Sequence, residues 1–445
     1  MSLIISPSKG IKGIVSAPPS KSFLQRAIIC SAFSYNPVVI KNFYNSEDVR
    51  ASIDFVRSIG AKIEERDREI VVYPINISAL NREKIYHFVI SECGFVLRCA
   101  LAICSFLGIN SEIVSSENLK RRPNDGLIQA LAQCGSEITE TTFGYKISSK
   151  VKSYCITVDA SKSSQFLSAL MIASYAARQT KDIKLLGNLP SKGYVEITKN
   201  VLRDFGATIE EIPGGYRVSA ENISVSPTDY YPEGDWSSGA ALLAFGLLYG
   251  EVSVTGLNFL SVQPDRKFVD VLKRAGGKIY NRLPCDNTGL CEKKATFICS
   301  EDNALDNPFA VTAYKSSISF IDANIDECID LFPTLAVICT FAKNVSIIRG
   351  VGRLKYKESD RLSVMCDLLR RAGGKIDLNG NEIKIYPFEV NPLSFDCSLD
   401  HRIAMAAILL STKSGGRITG ENSLNKSFPD FIDIYKLLGG DLSAT

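Results

Sequence analysis

The stretch VLKRAGGKI (271–279) recurs later in the chain almost unchanged, as LLRRAGGKI (368–376). Four further segments keep the same pattern: FVRSIGAKI (55–63), LAQCGSEI (131–138), VLRDFGATI (201–209) and YKLLGGDL (435–442). In every copy the residues before the glycine are apolar at helical spacing, the glycine stands where a helix takes its left-handed cap, and a strand-like run follows. A segment that recurs in this way predicts a fold built from repeats of one helix–strand unit.

A second kind of helix precedes each copy. It begins with small or polar residues and is then apolar nearly all round, which is typical of a helix buried on every side. The predicted starts are Ser20, Gly94, Ser163, Ser237, Leu331 and His401. One interval between starts is longer than the others and contains the polar stretch 281–306, which we interpret as a loop insertion. Runs of β-branched residues such as 70–72 and 252–254 supply the strands.

The repeats predict an α/β fold in which six strand–helix–strand–helix–strand units divide as three plus three between two domains. Each domain would hold three parallel buried helices with sheets on the outside. The Pro- and Gly-containing segment 231–235 marks the expected boundary near the middle of the chain. A chain of 445 residues is in any case too long for one hydrophobic core.

Composition narrows the class of function. A net charge of +3, with 22% charged and 45% apolar residues, is ordinary for a soluble protein and argues against a dedicated nucleic-acid binder. No apolar run approaches the roughly 18 residues of a membrane span, and the apolar run in MSLIISPSKG is too short for a signal peptide, so we expect a cytoplasmic protein. Thirteen cysteines lie mostly in apolar runs and only two histidines are present, so we expect no metal site.

Polar and charged residues gather at the starts of the predicted buried helices, which would place them on one face of each domain. They include Lys21, Ser22, Arg26, Arg98, Ser163, Ser164, Gln165, Asp330 and Arg402. Arg122, Lys426 and the segment KESDR (357–361) add further cations, and Lys357 and Arg361, four residues apart, would share a helix face. Two like charges about 4 Å apart repel by about 4 kcal/mol at an effective dielectric near 20. We therefore interpret the cluster as a site completed by a phosphate or carboxylate.

These residues, in this order, resemble the 5-enolpyruvylshikimate-3-phosphate synthase (EPSP synthase) family over essentially the whole chain. Each motif is weak alone, and the ordered set is specific. The matching segments are Ser20-Lys21-Ser22-x-x-x-Arg26, Ser163-Ser164-Gln165, Ser191-Lys192-Gly193-Tyr194, Glu233-Gly234-Asp235-x-Ser237-Ser238, Asp330, Lys357-Glu358-Ser359-Asp360-Arg361, Asp400-His401-Arg402 and Lys426-x-Phe428-Pro429.

The resemblance implies a two-domain inside-out α/β barrel, each domain made of three βαβαββ units. It places residues 19–234 in one domain and 1–18 with 235–445 in the other, with the active site in the cleft between them. The implied reaction transfers the enolpyruvyl group of phosphoenolpyruvate to the 5-hydroxyl of shikimate 3-phosphate and releases phosphate, in aromatic amino-acid biosynthesis. The implied enzyme needs no metal or organic cofactor, and we expect a monomer that binds neither nucleic acid nor membrane.

The resemblance also implies the residues of the two substrate sites, one position at a time. Those of the shikimate 3-phosphate site are Lys21, Ser22, Arg26, Ser163, Ser164, Gln165, Ser191, Asp330 and Lys357. Those of the phosphoenolpyruvate site are Lys21, Gly94, Arg122, Gln165, Arg361, Arg402 and Lys426. Asp330 would take the proton of the attacking hydroxyl, and Lys21 or Glu358 would supply the proton that C3 of phosphoenolpyruvate gains.

The chain departs from the family pattern next to Gly94. Where the family commonly has Gly-Asn-Ala-Gly-Thr, this chain reads Ser91-Glu92-Cys93-Gly94-Phe95. Gly94 keeps the room for the pyruvyl carboxylate, whereas Glu92 adds negative charge and Phe95 adds bulk beside it. Pro19 stands in place of the usual glycine before Ser20, which would stiffen the crossover between the domains.

Two alternatives are weighed against this interpretation. A UDP-N-acetylglucosamine enolpyruvyl transferase has the same fold and donor, but should carry Lys-Asn near its start and a reactive loop cysteine. This chain has Lys21-Ser22, and the loop 115–120 has no cysteine. A non-catalytic phosphate-binding homologue is the second alternative, and the presence of both Asp330 and Glu358 argues against it, because anion binding gains nothing from two carboxylates.

Overall fold

The computed structural model describes residues 2–149, 155–221, 223, 225–281, 310–398 and 400–444. The chain divides into two compact units, which we name unit A (Lys21–Pro232) and unit B (Met1–Ser20 with Glu233–Thr445). Apart from residue 281, the predicted insertion 281–306 lies outside the described residues.

The chain starts with two strands of unit B, β1 (Ser2–Ile5) and β2 (Ile11–Ser16). The helices of unit A are α1 (Lys21–Ala32), α2 (Glu47–Ile59), α3 (Gly94–Leu107), α4 (Glu117–Lys120), α5 (Asp125–Gln133), α6 (Gln165–Ala176) and α7 (Lys192–Asp204). Its strands are β3 (Val38–Ile40), β4 (Lys62–Arg66), β5 (Glu69–Tyr73), β6 (Ile85–Val89), β7 (Asn110–Val114), β8 (Ser136–Thr141), β9 (Gly144–Ser149), β10 (Cys155–Asp159), β11 (Lys181–Leu186), β12 (Thr208–Ile212), β13 (Gly215–Ser219) and β14 (Asp229–Tyr230).

Unit B continues with six helices and ten strands in the described part of the chain. The helices are α8 (Trp236–Tyr249), α9 (Lys267–Arg274), α10 (Phe332–Thr340), α11 (Arg361–Arg371), α12 (His401–Ser414) and α13 (Phe431–Leu437). The strands are β15 (Gly250–Thr255), β16 (Lys278–Tyr280), β17 (Ala310–Tyr314), β18 (Asp322–Asn324), β19 (Ser346–Arg349), β20 (Ile376–Asn379), β21 (Glu382–Ile385), β22 (Leu393–Asp396), β23 (Gly416–Thr419) and β24 (Leu442–Ala444). Short 3-10 helices cover Ile77–Ala79, Pro264–Arg266, Ile329–Leu331, Gly352–Tyr356 and Glu421–Lys426.

Six four-stranded sheets share one topology, in which a parallel pair is extended by two antiparallel strands. In unit A the orders are β14-β3-β5-β4, β6-β7-β9-β8 and β10-β11-β13-β12. In unit B they are β2-β15-β17-β16, β18-β19-β21-β20 and β22-β23-β1-β24. The recurrence of one topology confirms the α/β repeat fold predicted from the sequence.

The two predicted kinds of helix are both present. Nearly every residue of α1, α3 and α6 in unit A, and of α8, α10 and α12 in unit B, is buried, so these helices form the interior of each unit. Each of the other long helices is followed by one of the repeated glycines, and all six glycines have φ between 87° and 120°. That backbone region favours glycine, which explains why the repeat keeps this residue. No helix in the described part of the chain has the length and apolar character needed to cross a bilayer.

The buried helices lie close to the strands around them, and Gly246 in α8 shows how close. A Cβ atom at this position would lie 2.6 Å from the carbonyl oxygen of Ala313 in β17 and 2.7 Å from the amide nitrogen of Val252 in β15. Both neighbours are backbone atoms of paired strands, which cannot rotate away as a side chain would. The contact between α8 and its sheet therefore requires glycine here.

We expect Gly246→Ala to destabilise the protein although alanine is the better helix former. The propensity gain is about 1 kcal/mol, and the overpacking it meets costs about 1–3 kcal/mol. Urea unfolding followed by circular dichroism measures the balance. Gly10→Ala is the control, because nothing lies within 4 Å of a Cβ atom there. A Gly246→Ala variant at least as stable as the wild type would contradict the packing argument.

Candidate active site

Arg361, the first residue of α11, lies at the centre of a cluster in unit B. Its side chain is fully buried and bound by three carboxylates. Nε and Nη2 donate to the two oxygens of Asp400 (2.9 and 3.1 Å), Nη1 donates to Asp330 (2.7 Å) and Nη2 donates to Glu358 (2.6 Å). Burial alone would lower the pKa of Arg361, but the three carboxylates outweigh it and raise the pKa above its usual value. We call Arg361 and these three carboxylates the carboxylate cluster.

Asp330, in the 3-10 turn before α10, binds more cations than Arg361 alone. The ammonium of Lys357 lies 3.0 Å from its Oδ1, and Nη2 of Arg402 lies 3.7 Å from its Oδ2. Burial pushes the pKa of Asp330 up, but Lys357, Arg402 and Arg361 together bring it well below 3.8. Asp330 is therefore ionised near neutral pH, as a general base must be.

Burial raises the pKa of a carboxylic acid such as Asp330 but lowers the pKa of an ammonium such as Lys357. It lowers the pKa of the Lys357 ammonium below 10.5, and the attraction of Asp330 only partly offsets this. Lys357 therefore loses its proton at a lower pH than an exposed lysine.

Two sequence expectations about this region are wrong. Lys357 does not share a helix face with Arg361, because Asp360 is the N-cap of α11, accepting from the amide of Ser363 at 3.2 Å, and Lys357 precedes the helix. The two cations meet at Asp330 instead. The cations are also not left to repel one another, because the carboxylate cluster already balances charges that we expected only an external anion to neutralise.

The remaining predicted residues of unit B occupy the ends of neighbouring elements. Arg402 lies in the first turn of α12, where its amide donates to the N-cap carboxylate of Asp400 at 3.0 Å. Lys426 is buried at the end of a 3-10 helix. Asp265, which the sequence reasoning did not single out, is also buried and accepts a hydrogen bond from the hydroxyl of Ser237. Burial raises the pKa of Asp265 to about 6, against the attraction of Arg402.

In unit A, Lys21 opens the buried helix α1. Its ammonium lies 2.8 Å from Oδ2 of Asp48, a buried residue near the start of α2. The amide of Gln25, one turn further along α1, donates to the carbonyl of Asp48 at 2.9 Å and fixes the same residue from its backbone. The sequence did not predict Asp48 as a partner, because the spacing between Lys21 and Asp48 does not indicate that α1 and α2 pack together.

Arg26 lies on the same helix and is almost completely buried. Its guanidinium donates to the hydroxyl of Thr198 (2.8 Å) and to the carbonyl oxygens of Ser22 (2.8 Å) and Tyr194 (3.3 Å). Burial lowers the pKa of Arg26 to about 10, which leaves it charged at neutral pH.

Three predicted residues meet around Arg98, which was noticed in the sequence but not assigned to the site. Nη1 of Arg98 donates to Oε1 of Gln165 at 2.5 Å. A Cβ atom on Gly94 would lie 3.0 Å from Nη1 of Arg122 and 3.3 Å from Nη1 of Arg98. The missing side chain of Gly94 therefore lets two guanidinium groups approach the start of α3. Asn124 fixes Arg98 from the other side, accepting from its Nε at 3.1 Å.

The predicted serines lie at helix starts. The hydroxyl of Ser163 accepts from the amide of Gln165 at 3.3 Å, and Ser164 is the N-cap of α6. Ser191, the N-cap of α7, has φ 52°, a backbone conformation that a non-glycine residue adopts at a cost of order 1–3 kcal/mol. Such strain is typical of residues held in place for a function.

The three residues that depart from the family pattern, Glu92, Phe95 and Pro19, each contact an identified neighbour. Glu92 accepts a hydrogen bond from the side-chain amide of Asn118 at 3.1 Å. Phe95 lies against the guanidinium of Arg26, 4.3 Å from ring centroid to Cζ. Pro19 pairs with Gly234 in an isolated β-bridge. Among the residues that the structure describes, no group of three or more His, Cys, Asp or Glu side chains is arranged to hold a metal ion.

Comparisons with known proteins agree with these motifs. A family model described as EPSP synthase (3-phosphoshikimate 1-carboxyvinyltransferase) matches residues 5–435. A 3-phosphoshikimate 1-carboxyvinyltransferase of Buchnera aphidicola subsp. Baizongia pistaciae is 30% identical, and one of Haemophilus influenzae is 28% identical, each over 98% of both chains.

Solved structures show the same fold at lower identity. EPSP synthase from Acinetobacter baumannii superposes with a TM-score of 0.78 at 20% identity and covers 100% of both chains. The enolpyruvyl transferase NikO from Streptomyces tendae gives a TM-score of 0.71 at 16% identity and covers 100% of this chain and 98% of its own. The predicted fold class is confirmed, and because the family model spans most of its length, the chain belongs to the EPSP synthase family.

Proposed function

We infer that the chain catalyses the reaction of its family, transfer of the enolpyruvyl group of phosphoenolpyruvate to the 5-hydroxyl of shikimate 3-phosphate with release of phosphate. The family model and the relatives' names support this activity. The observation that carries the residue assignment is Asp330, an ionised carboxylate held by three cations. The cytoplasmic location and the monomeric state expected from the sequence stay predictions.

We propose that Asp330 is the general base. Its low pKa keeps it ionised, and its contacts with Lys357, Arg361 and Arg402 fix both carboxylate oxygens. When the 5-hydroxyl attacks C2 of phosphoenolpyruvate, its proton passes to Asp330. The three cations can then share their charge with the phosphate and carboxylate groups of the substrates.

The proton that C3 gains comes from a second group. Glu358 binds Arg361 at 2.6 Å as a carboxylate, whereas Lys21 carries its protons on an ammonium oriented by Asp48. Lys21 therefore fits the acid role better than Glu358. Because the product keeps its C=C double bond, one proton of the C3 methyl group must leave as the C–O bond to phosphate breaks, and the neutral amine left on Lys21 after the first step can accept it.

The other residues are assigned to binding. In unit A, Arg26 and the serines at the starts of α1, α6 and α7 (Ser22, Ser163, Ser164 and Ser191) are proposed to bind shikimate 3-phosphate, as is Lys357 in unit B. Gln165 serves both substrates, Arg122 and Gly94 receive phosphoenolpyruvate, and Arg361, Arg402 and Lys426 bind its charged groups. Backbone amides at helix starts add to the attraction for anions.

Neither alternative gains support from the structure. The carboxylates that argued against a binding-only protein do have a second role, since Asp330 and Glu358 neutralise Arg361. Their presence alone is therefore weaker support for catalysis than the sequence reasoning assumed. The support for catalysis is instead the membership of the family.

Asp330→Asn tests the base. The amide keeps the shape of the side chain but cannot accept the hydroxyl proton, so we expect turnover to fall by about 10²–10⁴. Release of phosphate from phosphoenolpyruvate, with and without shikimate 3-phosphate, measures it. Asp326→Asn is the matched control, because Asp326 is half exposed and pairs with Arg353 outside the proposed site residues. Turnover within tenfold of the wild type in Asp330→Asn would exclude Asp330 as the base.

The lowered pKa of Lys357 predicts that substrate binding depends on pH. Its ammonium pairs with Asp330 at 3.0 Å, and burial lowers its pKa below 10.5, so its positive charge is lost at a lower pH than that of an exposed lysine. We expect the KM for shikimate 3-phosphate to rise on the alkaline side, and Lys357→Arg to move that rise to higher pH because arginine stays charged. Steady-state kinetics between pH 7 and 10.5 measure both. Lys355→Arg, at an exposed neighbour, should leave the profile unchanged. Identical profiles for the wild type and Lys357→Arg would contradict the assignment.

A further inference from the structure

Arg26 is a buried cation with an unusual set of partners. Its side chain is 2% exposed, and its three hydrogen-bond acceptors are a hydroxyl and two carbonyl oxygens. None of the described carboxylates forms an ion pair with it, in contrast to Arg361. The positive charge of Arg26 is therefore held by dipoles and is not neutralised by the protein around it.

Phe95 supplies a further contact to Arg26. It is the second residue of α3 and is 4% exposed. The guanidinium carbon of Arg26 lies 4.3 Å from the ring centroid, inside the roughly 6 Å range of a cation–π interaction. The negative face of the ring attracts the cation without bringing a net charge of its own.

We propose that Phe95 is a positioning residue for shikimate 3-phosphate binding, because its ring fixes the Arg26 guanidinium while leaving the positive charge available to the anionic substrate. The inference rests on the proposed function, which assigns Arg26 to that substrate. A carboxylate at position 95 would also hold the guanidinium, but it would compete with the substrate for it. An aliphatic side chain would fill the space without attracting the cation.

A purely structural role is the rival explanation, since Phe95 is also a buried apolar side chain. Two substitutions separate the roles. Phe95→Leu keeps most of the apolar volume and removes the aromatic face, whereas Phe95→Tyr keeps the face. Tyr35→Leu is the matched control, because Tyr35 lies 4.0 Å from the guanidinium of Arg178 at an exposed position outside the proposed site residues.

The first measurement is binding and kinetics. Calorimetry gives the Kd for shikimate 3-phosphate, and steady-state assays give kcat and both KM values. We expect Phe95→Leu to raise the Kd and KM for shikimate 3-phosphate about 3–10-fold, with kcat and the KM for phosphoenolpyruvate within about twofold of the wild type. Phe95→Tyr and Tyr35→Leu should match the wild type.

The second measurement needs no substrate. In the ligand-free protein, the ring current of Phe95 shifts the NMR resonances of the Arg26 guanidinium, which can be assigned by their loss in Arg26→Lys. We expect Phe95→Leu to abolish this shift and Phe95→Tyr to keep it. Thermal unfolding of each variant controls for a general loss of structure.

The outcomes separate this inference from the proposed function. A wild-type protein that does not bind shikimate 3-phosphate contradicts the proposed function, and the positioning role falls with it. A wild-type protein that binds it, with Phe95→Leu binding equally well, contradicts the positioning role alone. Parallel loss of kcat and of affinity for both substrates in Phe95→Leu would also overturn it, because that pattern indicates a structural role.

Discussion

The bidentate pair between Arg361 and Asp400 is the interaction on which the rest of unit B's site depends. It joins the first residue of α11 to the N-cap of α12, and the third guanidinium nitrogen joins both to the turn before α10 through Asp330. Removing one partner of a buried pair costs about 3–5 kcal/mol, because the other charge is left uncompensated. The starts of three elements are therefore fixed relative to one another before any substrate binds.

This arrangement changes how the cations of unit B act. Had they been left to repel one another, an anion would have been needed to assemble them. Because Asp330, Glu358 and Asp400 already balance them, the cations are preorganised. Donors oriented in this way can bind an anion with little further loss of conformational entropy. Part of the attraction is lost in return, since each internal carboxylate competes with the anion for the same guanidinium.

The sequence predicted what depends on local pattern. The glycine after each outer helix and the apolar periodicity were sufficient to predict the repeat fold, and the order of the motifs was sufficient to name most of the proposed site residues. It could not predict which side chains pair across elements. Asp48 with Lys21 and Asp400 with Arg361 join residues far apart in sequence, and no spacing rule reports such contacts. The prediction that Lys357 lies on α11 was wrong for a related reason. Asp360 caps α11, so the helix starts one turn later than the charge pattern suggested.

The two units thus treat a buried guanidinium in opposite ways. Arg361 has three internal counter-ions, which suits a group that must keep its position through a whole reaction cycle. Arg26 has dipoles and an aromatic face, which hold it without cancelling its charge. Burying such a cation is costly, as its lowered pKa reports, and an anion that reaches it recovers part of that cost as binding free energy. The same burial therefore gives rigidity where carboxylates are present, and it leaves an uncompensated positive charge where they are not.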